Sequence, residues 1–454
     1  MLCGNTSQDR KNLVSKFTPS SAILELGEGF YDPVEPADFN GVGVRYFDAN
    51  LSKSLGLDLS PSQVTEHFLD FKPLPKSFSK PLALRYHGHQ FRQYNPDIGD
   101  GRGFLFAQCE AEGKLLDFGT KGSGTTPFSR SGDGRLTLLG GVREVLAALY
   151  LQSMGVNTSR AFALIETDEA LTRHDEPSPT RAAVLTRLSH SHIRFGTFQR
   201  HAFFQDRDAL ERLSDYCIAH FYAEAATPAE MFDKVVTASA DTVASWMAAG
   251  FVHGVMNTDN MNITGESFDY GPYRFLPTLD PQFTAAYFDH GRLYAFGRQP
   301  EAMSWNLAQL AQCLSLICED APLIDALSDF APRYQSALNH HVFRRLGIAP
   351  KDAETDREFV RATFTYLQKS QLDWPNFWHD WQGGAGRADG EQIGEYDSEW
   401  TAQLKAFEVT GKRPDTDAPE SLLYGEIGEI WQPIAEADDW TAFEQKTVSL
   451  QGRG

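Results

Sequence analysis

The sequence predicts an α+β fold in which a β-rich N-terminal half gives way to a helical C-terminal half. Three observations carry that expectation. Glycine-rich stretches at Gly99–Gly103 and Gly122–Gly134 bracket apolar runs of strand length. Directly after the second stretch, Val142, Val145, Leu146 and Leu149 recur at helical spacing. Beyond Phe198 the balance of the patterns shifts to helices with recognisable start and stop signals.

Residues 1 to about 80 mix short apolar runs with Pro and Gly and show no long periodic helix. Next, Gly99-Asp-Gly-Arg102 leads into Gly103–Cys109, a polar break at Glu110 to Lys114, and Leu115–Gly119. That pattern predicts a β-hairpin with Lys121 at the end of its second strand. The helix after Gly134 has Gly155 as its stop. Ala161–Ile165 and Ala182–Leu188 read as further strands. Thr227-Pro-Ala-Glu230 supplies an N-cap, a proline at the first helical position and a glutamate suited to a capping box, opening a helix that runs to Gly250. Phe251–Met256 then delivers Asn257-Thr-Asp-Asn260, and helices are expected over 301–319, 323–345 and 353–369, with Pro332 kinking or breaking the second. The tail from about 385 carries no recognisable chemistry, and the one internal echo is Gly-Asp-Gly-Arg at 99–102 and 132–135.

A net charge of −20 would repel a phosphate backbone, which argues against nucleic acid as a partner. A smaller anion would need a site that concentrates Lys, Arg and backbone N–H groups against that field. The five cysteines, Cys3, Cys109, Cys217, Cys313 and Cys318, have no CxxC spacing, so neither a disulfide framework nor a zinc ribbon is indicated. No apolar run has the length of a membrane span and no secretory leader is visible, which makes a cytoplasmic location the expectation.

A nucleoside triphosphate site needs closely approaching backbone, a cation, and oxygen ligands for a divalent metal. Gly99, Gly101 and Gly103 offer such backbone and Arg102 adds charge, although a plain hairpin turn explains the glycines equally well. Lys121 and Glu144 stand in the chain order of the strand lysine and helix glutamate that pair in kinases. His253-Gly-Val-Met-Asn-Thr-Asp-Asn260 reproduces the spacing of a kinase catalytic loop from its His to its metal-binding Asn, and Asp269-Tyr-Gly271 follows in the order of the later metal-binding Asp, with room for a short hairpin between Asn260 and Asp269. Val255 occupies the kinase base position, where it can accept no proton. Asp259 is the nearest carboxylate that could replace it, the alternative being an aspartate that bonds its own turn. Arg187 and Arg194 are candidates for phosphate contacts or for ordinary salt bridges. His87 with His89 and His190 with His192 lack a third ligand and do not indicate zinc.

These stretches, together with Tyr86–Phe91, Ser129–Arg135, Arg143-Glu144 and Ser191–Gly196, resemble the selenoprotein O family of protein adenylyltransferases over about residues 86 to 300. The resemblance implies a bilobal protein-kinase-like fold that holds ATP inverted relative to kinases and transfers AMP to Ser, Thr or Tyr hydroxyls of proteins. It implies nucleotide contacts at Gly99, Gly101, Arg102, Lys121, Asp133, Gly134, Arg187, Arg194 and Asp269. Asp259 would be the proton acceptor, Asn260 and Asp269 would hold magnesium, with manganese as a substitute, and Glu144 would support the lysine. The expected division is an extension over 1–80 packed on the core, a β-rich nucleotide-binding lobe over 81–198, a helical lobe with the catalytic and metal-binding loops over 199–347, and a helical C-terminal region with a divergent tail over 348–454. Members of that family commonly carry a Cys or selenocysteine near the C-terminus, whereas Cys318 is the last cysteine here, so redox control through such a residue is not expected. A kinase-type phosphotransferase and a silent nucleotide-binding pseudokinase scaffold are the alternatives.

Overall fold

The computed structural model describes residues 17–174, 176–384 and 397–452. Its β structure is dominated by a nine-stranded antiparallel sheet whose main path runs Tyr31–Pro33, Leu82–Leu84, Leu105–Ala111, Lys114–Lys121, Thr180–Ser189, Arg160–Leu171, Gly41–Phe47. Thr18–Ser20 pairs with Leu105–Ala111, and Leu136–Thr137 pairs with Thr180–Ser189. Three strands from residues 18–47 therefore enter the same sheet as the hairpin strands.

The predicted hairpin forms as Leu105–Ala111 and Lys114–Lys121, turned at Glu112 (φ 51°) and Gly113 (φ 73°). Two consecutive positive φ values match the twist of the flanking strands, as a two-residue hairpin turn requires. Register then decides which side chains meet. Leu185 lies opposite Lys121 and Arg187 opposite Gly119, so Lys121 and Arg187 project from one face as diagonal neighbours. Gly119 between them has no room for a side chain, because a Cβ would lie 1.9 Å from His192 Nε2.

Helix Leu138–Ser153 begins at Thr137, whose hydroxyl accepts from Gly140 N at 3.1 Å. Val142, Val145, Leu146 and Leu149 are buried as their spacing predicts, and Glu144 is buried among them. The helical part centres on Pro228–Ala249, which packs against Gln299–Leu314 and Phe330–Leu346. It stops at Gly250, where φ is 71° and a Cβ would lie 2.4 Å from the Trp374 indole. Its start differs in one detail from the expected capping box: Thr227 caps Glu230 N, but Glu230 Oε2 accepts from Ala226 N at 2.6 Å.

A second difference concerns 323–345, which is two helices, Asp320–Ser328 and Phe330–Leu346. The break falls at Asp329, and Pro332 sits in the first turn of the second helix, where its missing N–H leaves no bond unmade. From the tail, Tyr424–Ala437 and Thr441–Gln451 fold back, and the latter lies against Leu138–Ser153. Between these two helices Asp438 meets Arg181 at 2.6 Å and Arg45 at 3.4 Å. Among the described residues no helix is long and apolar enough to cross a membrane.

Candidate active site

Gly99, Gly101, Arg102, Lys121, Asp133, Gly134, Arg187, Arg194, Asp259, Asn260 and Asp269 all line one cleft of about 860 Å³. Glu144 does not line it and lies behind Lys121. Seven Lys or Arg side chains but only four Asp face this cleft, in a chain whose net charge is −20. The local field is thus opposite in sign to the global one, as binding a polyanion demands.

The two glycine-rich loops form one wall. Thr126 donates to the Asp100 carbonyl and Ser129 to the Gly101 carbonyl, which seats the second loop on the first. A Cβ at Gly99 would meet the Phe128 ring at 2.5 Å, and one at Gly134 (φ 69°) would meet Gly124 at 2.2 Å. Backbone approaches backbone here because no side chain intervenes. Both Gly-Asp-Gly-Arg copies consequently line the same cleft. Asp133 is engaged by Arg173, with Nη1 to Oδ2 at 2.8 Å.

The opposite end is a charge web centred on Asp269. Arg187 Nη1 donates to its Oδ1 at 2.9 Å and Arg194 Nη1 to its Oδ2 at 2.7 Å, while Lys121 Nζ lies 3.4 Å from Oδ1. Lys121 is also bonded to Glu144, and Arg187 Nη1 lies 3.5 Å from the other Glu144 oxygen. Burial alone would raise the Asp269 carboxyl, but Arg187, Lys121 and Arg194 together hold it well below the usual range. Burial lowers Lys121, with Glu144 and Asp269 working against that. Asp269 adopts a φ of 60°, uncommon for a residue with a side chain. His253 ties the 253–260 segment to the one carrying Asp269, its Nε2 lying 3.2 Å from the Phe268 carbonyl.

Asp259 is held differently. Its backbone carbonyl accepts from Arg194 Nη1 at 2.7 Å, its Oδ2 accepts from Gln90 Nε2 at 3.3 Å, and its buried Oδ1 has no partner. Burial raises this carboxyl to about 6, with Arg194 opposing the rise. Asn260 Nδ2 donates to the Val255 carbonyl at 2.9 Å, which leaves Oδ1 as its acceptor. An amide oxygen, an ionised carboxylate and a second carboxylate with an unused oxygen on one cleft form a set that fits a hard divalent cation.

Several lining residues had no separate signal in the sequence. Asp100, hidden inside the first glycine motif, accepts from Leu84 N at 3.1 Å and lies 3.4 Å from Arg194 Nη2. Gln90 is placed by the hairpin Gly88–Gln90 and Gln93–Asn95, which docks on the Asn257–Asn260 loop through Phe91 N to Asn257 Oδ1 and His89 N to Thr258 Oγ1. Arg130 lies within the second glycine-rich stretch, and Arg173 comes from a loop without a recognisable motif. The paired histidines have separate engagements: His87 with Tyr94, His89 with Gln199, His190 N with Glu266 and His192 N with Asp117.

The family model described as protein adenylyltransferase SelO matches residues 13–451. A protein nucleotidyltransferase YdiU from Synechocystis sp. is 42% identical over 96% of this chain and 98% of its own length. One of the same name from Gloeobacter violaceus is 43% identical over 93% of this chain and 92% of its own. A third, from Synechococcus elongatus, is 49% identical over 72% of this chain and 67% of its own. With nearly its whole length matched at this level, the chain belongs to the SelO family of protein adenylyltransferases.

Proposed function

We propose that this chain, a protein nucleotidyltransferase of the SelO family, transfers AMP from ATP to Ser, Thr or Tyr hydroxyls of other proteins and releases pyrophosphate. The observation that supports it best is the pairing on one cleft of a cationic web around Asp269 with a separate carboxylate, Asp259, while Val255 stands where a kinase has its base. In this reading Gly99, Gly101 and Gly134 let backbone N–H groups approach the nucleotide, and Arg102, Lys121, Arg187 and Arg194 neutralise phosphate charge, with Asp133 as a further nucleotide contact. Glu144 keeps Lys121 extended toward the cleft. Asn260 and Asp269 would hold Mg²⁺, or Mn²⁺ in its place, which when bound screens the triphosphate.

The acceptor hydroxyl oxygen attacks the α-phosphorus and the bond to the β-phosphate bridging oxygen breaks. The proton of the hydroxyl passes to Asp259, whose carboxyl at about 6 is ionised at neutral pH yet basic enough to take it. Gln90 and the Arg194 contact to the Asp259 carbonyl keep the side chain at the cleft edge. The partners are ATP and hydroxyl-bearing proteins in the cytoplasm, with neither nucleic acid nor membrane involved. A bilobal, kinase-like arrangement with boundaries near 80, 198 and 347 accommodates the cleft between its β-rich and helical parts.

ATP labelled separately at the α and γ positions tests the proposal on the intact chain. Label from the α position should appear on protein. Transfer of γ label would replace the reading with a kinase, and transfer of neither would leave a nucleotide-binding scaffold.

A further inference from the structure

A cavity of about 200 Å³ that shares no lining residue with the main cleft is lined by Arg344, Arg345, Trp378 and His379, with Tyr150, Ser153 and Met154 from the end of the Glu144 helix. Arg344 and Arg345 stand in the last turn of Phe330–Leu346. Arginines in that position often bond helix-end carbonyls, and each of these does so: Arg344 Nη2 donates to the Met154 carbonyl and Arg345 Nη1 to the Ala248 carbonyl. Yet a guanidinium has five N–H donors, and among the described residues neither arginine has a carboxylate within ion-pair distance. The nearest acidic influence on Arg344 is Asp241, which is already engaged by His341 at 2.8 Å. Burial without a countercharge pulls Arg345 down to about 9.

A second, independent feature points the same way. Trp378 is 2% exposed, lies beneath the Arg345 guanidinium at 4.3 Å, and its indole N–H is buried without an acceptor. Buried donors of this kind are seldom left unmatched. Among the described lining residues the acidic one is Glu420, which is held by Lys446 and by Ser449 Oγ at 2.7 Å rather than by either arginine. The cavity is smaller than the ~300–1,000 Å³ of sites for drug-sized ligands. Its chemistry is therefore two arginines, Arg344 exposed and Arg345 partly buried, with no carboxylate partner among the described residues, beside a buried indole N–H that has no acceptor.

We infer that this cavity binds a small oxyanion of the phosphate class, held by Arg344, Arg345 and the Trp378 indole N–H. The ligand is free phosphate or pyrophosphate. The inference does not rest on the reading of the main cleft, whose failure would leave it standing.

The test uses the full chain with ¹⁵N-labelled tryptophan, the main cleft saturated with a non-hydrolysable ATP analogue, and inorganic phosphate or pyrophosphate as titrant. The indole signal that disappears in Trp378→Phe should shift saturably. In Arg345→Met the affinity should fall by at least about tenfold, and in the more exposed Arg344→Gln by a few-fold, as expected for charge-assisted bonds. Tighter binding of pyrophosphate would identify the product of the proposed reaction as the ligand, and equal or tighter binding of phosphate would identify the free ion. No saturable shift with either anion, or a shift undiminished in Arg344→Gln and in folded Arg345→Met, overturns the inference.

Discussion

Asp259 and Asp269 are aspartates of one cleft, the first buried and the second partly exposed, and they are held in opposite ways. Asp269 has both oxygens bonded by arginine and a lysine close by, so its charge is fixed. Asp259 has one oxygen without a partner and the other held by a neutral amide, so its proton affinity rises with burial. The same side chain is thereby suited to two tasks, a permanent anion in one place and a proton acceptor in the other. Environment alone makes the difference.

The largest expected effect comes from removing the fixed anion. Asp269→Ala should reduce AMP transfer to background, weaken metal-dependent ATP binding measured by calorimetry, and cost about 3–5 kcal/mol of stability by leaving three buried cations with only Glu144 and Asp100 to oppose them. Unchanged magnesium-dependent binding in the folded variant would dissolve the contrast. Asp259→Asn probes the other side and should lower turnover by ~10²–10⁴-fold while ATP affinity stays within a few-fold. Near-normal transfer would make Asp259 a turn residue.

A smaller effect separates the supporting glutamate from the web. Lys121→Ala should impair transfer more than Glu144→Ala, and the double variant should be no worse than Lys121→Ala if the two act as a unit. Multiplicative losses would show independent roles. The mildest test is a pH profile. Because the Asp259 carboxyl is raised to about 6, transfer should fall as pH drops through that value and level off above it. Gln90→Leu removes a bond that favours the ionised form, so the falling limb should move to higher pH with only a few-fold loss at the plateau. A limb that does not move would leave Gln90 a packing residue.

The parts legible in the sequence are those set by neighbouring residues. The hairpin around Glu112-Gly113, the Thr227 cap, the Gly155 and Gly250 stops and the Asp259–Asn260 loop are all encoded within a few positions. Tertiary partners were not legible. Thr18–Ser20 and Tyr31–Pro33 are strands of three residues, too short for alternation to register, and exist because longer strands offer them an edge. Asp100 and Gln90 acquire meaning only against Arg194 and Asp259, about 94 and 169 positions away. Pro332 was misread because a proline in a first turn and one in mid-helix look alike until the helix start at Phe330 is known.

The return of helix Thr441–Gln451 onto Leu138–Ser153 has a consequence for how the protein is made. Phe443 and Leu450 share an apolar core with Val145 and Leu149, separated from them by about 300 positions of chain. During synthesis the Glu144 helix emerges early and waits, one side uncovered, until the last part of the chain is translated. A ribosome stalled before residue 441 would hold a polypeptide with an unburied seam along the helix that carries Glu144, a natural substrate for chaperones and quality-control proteases.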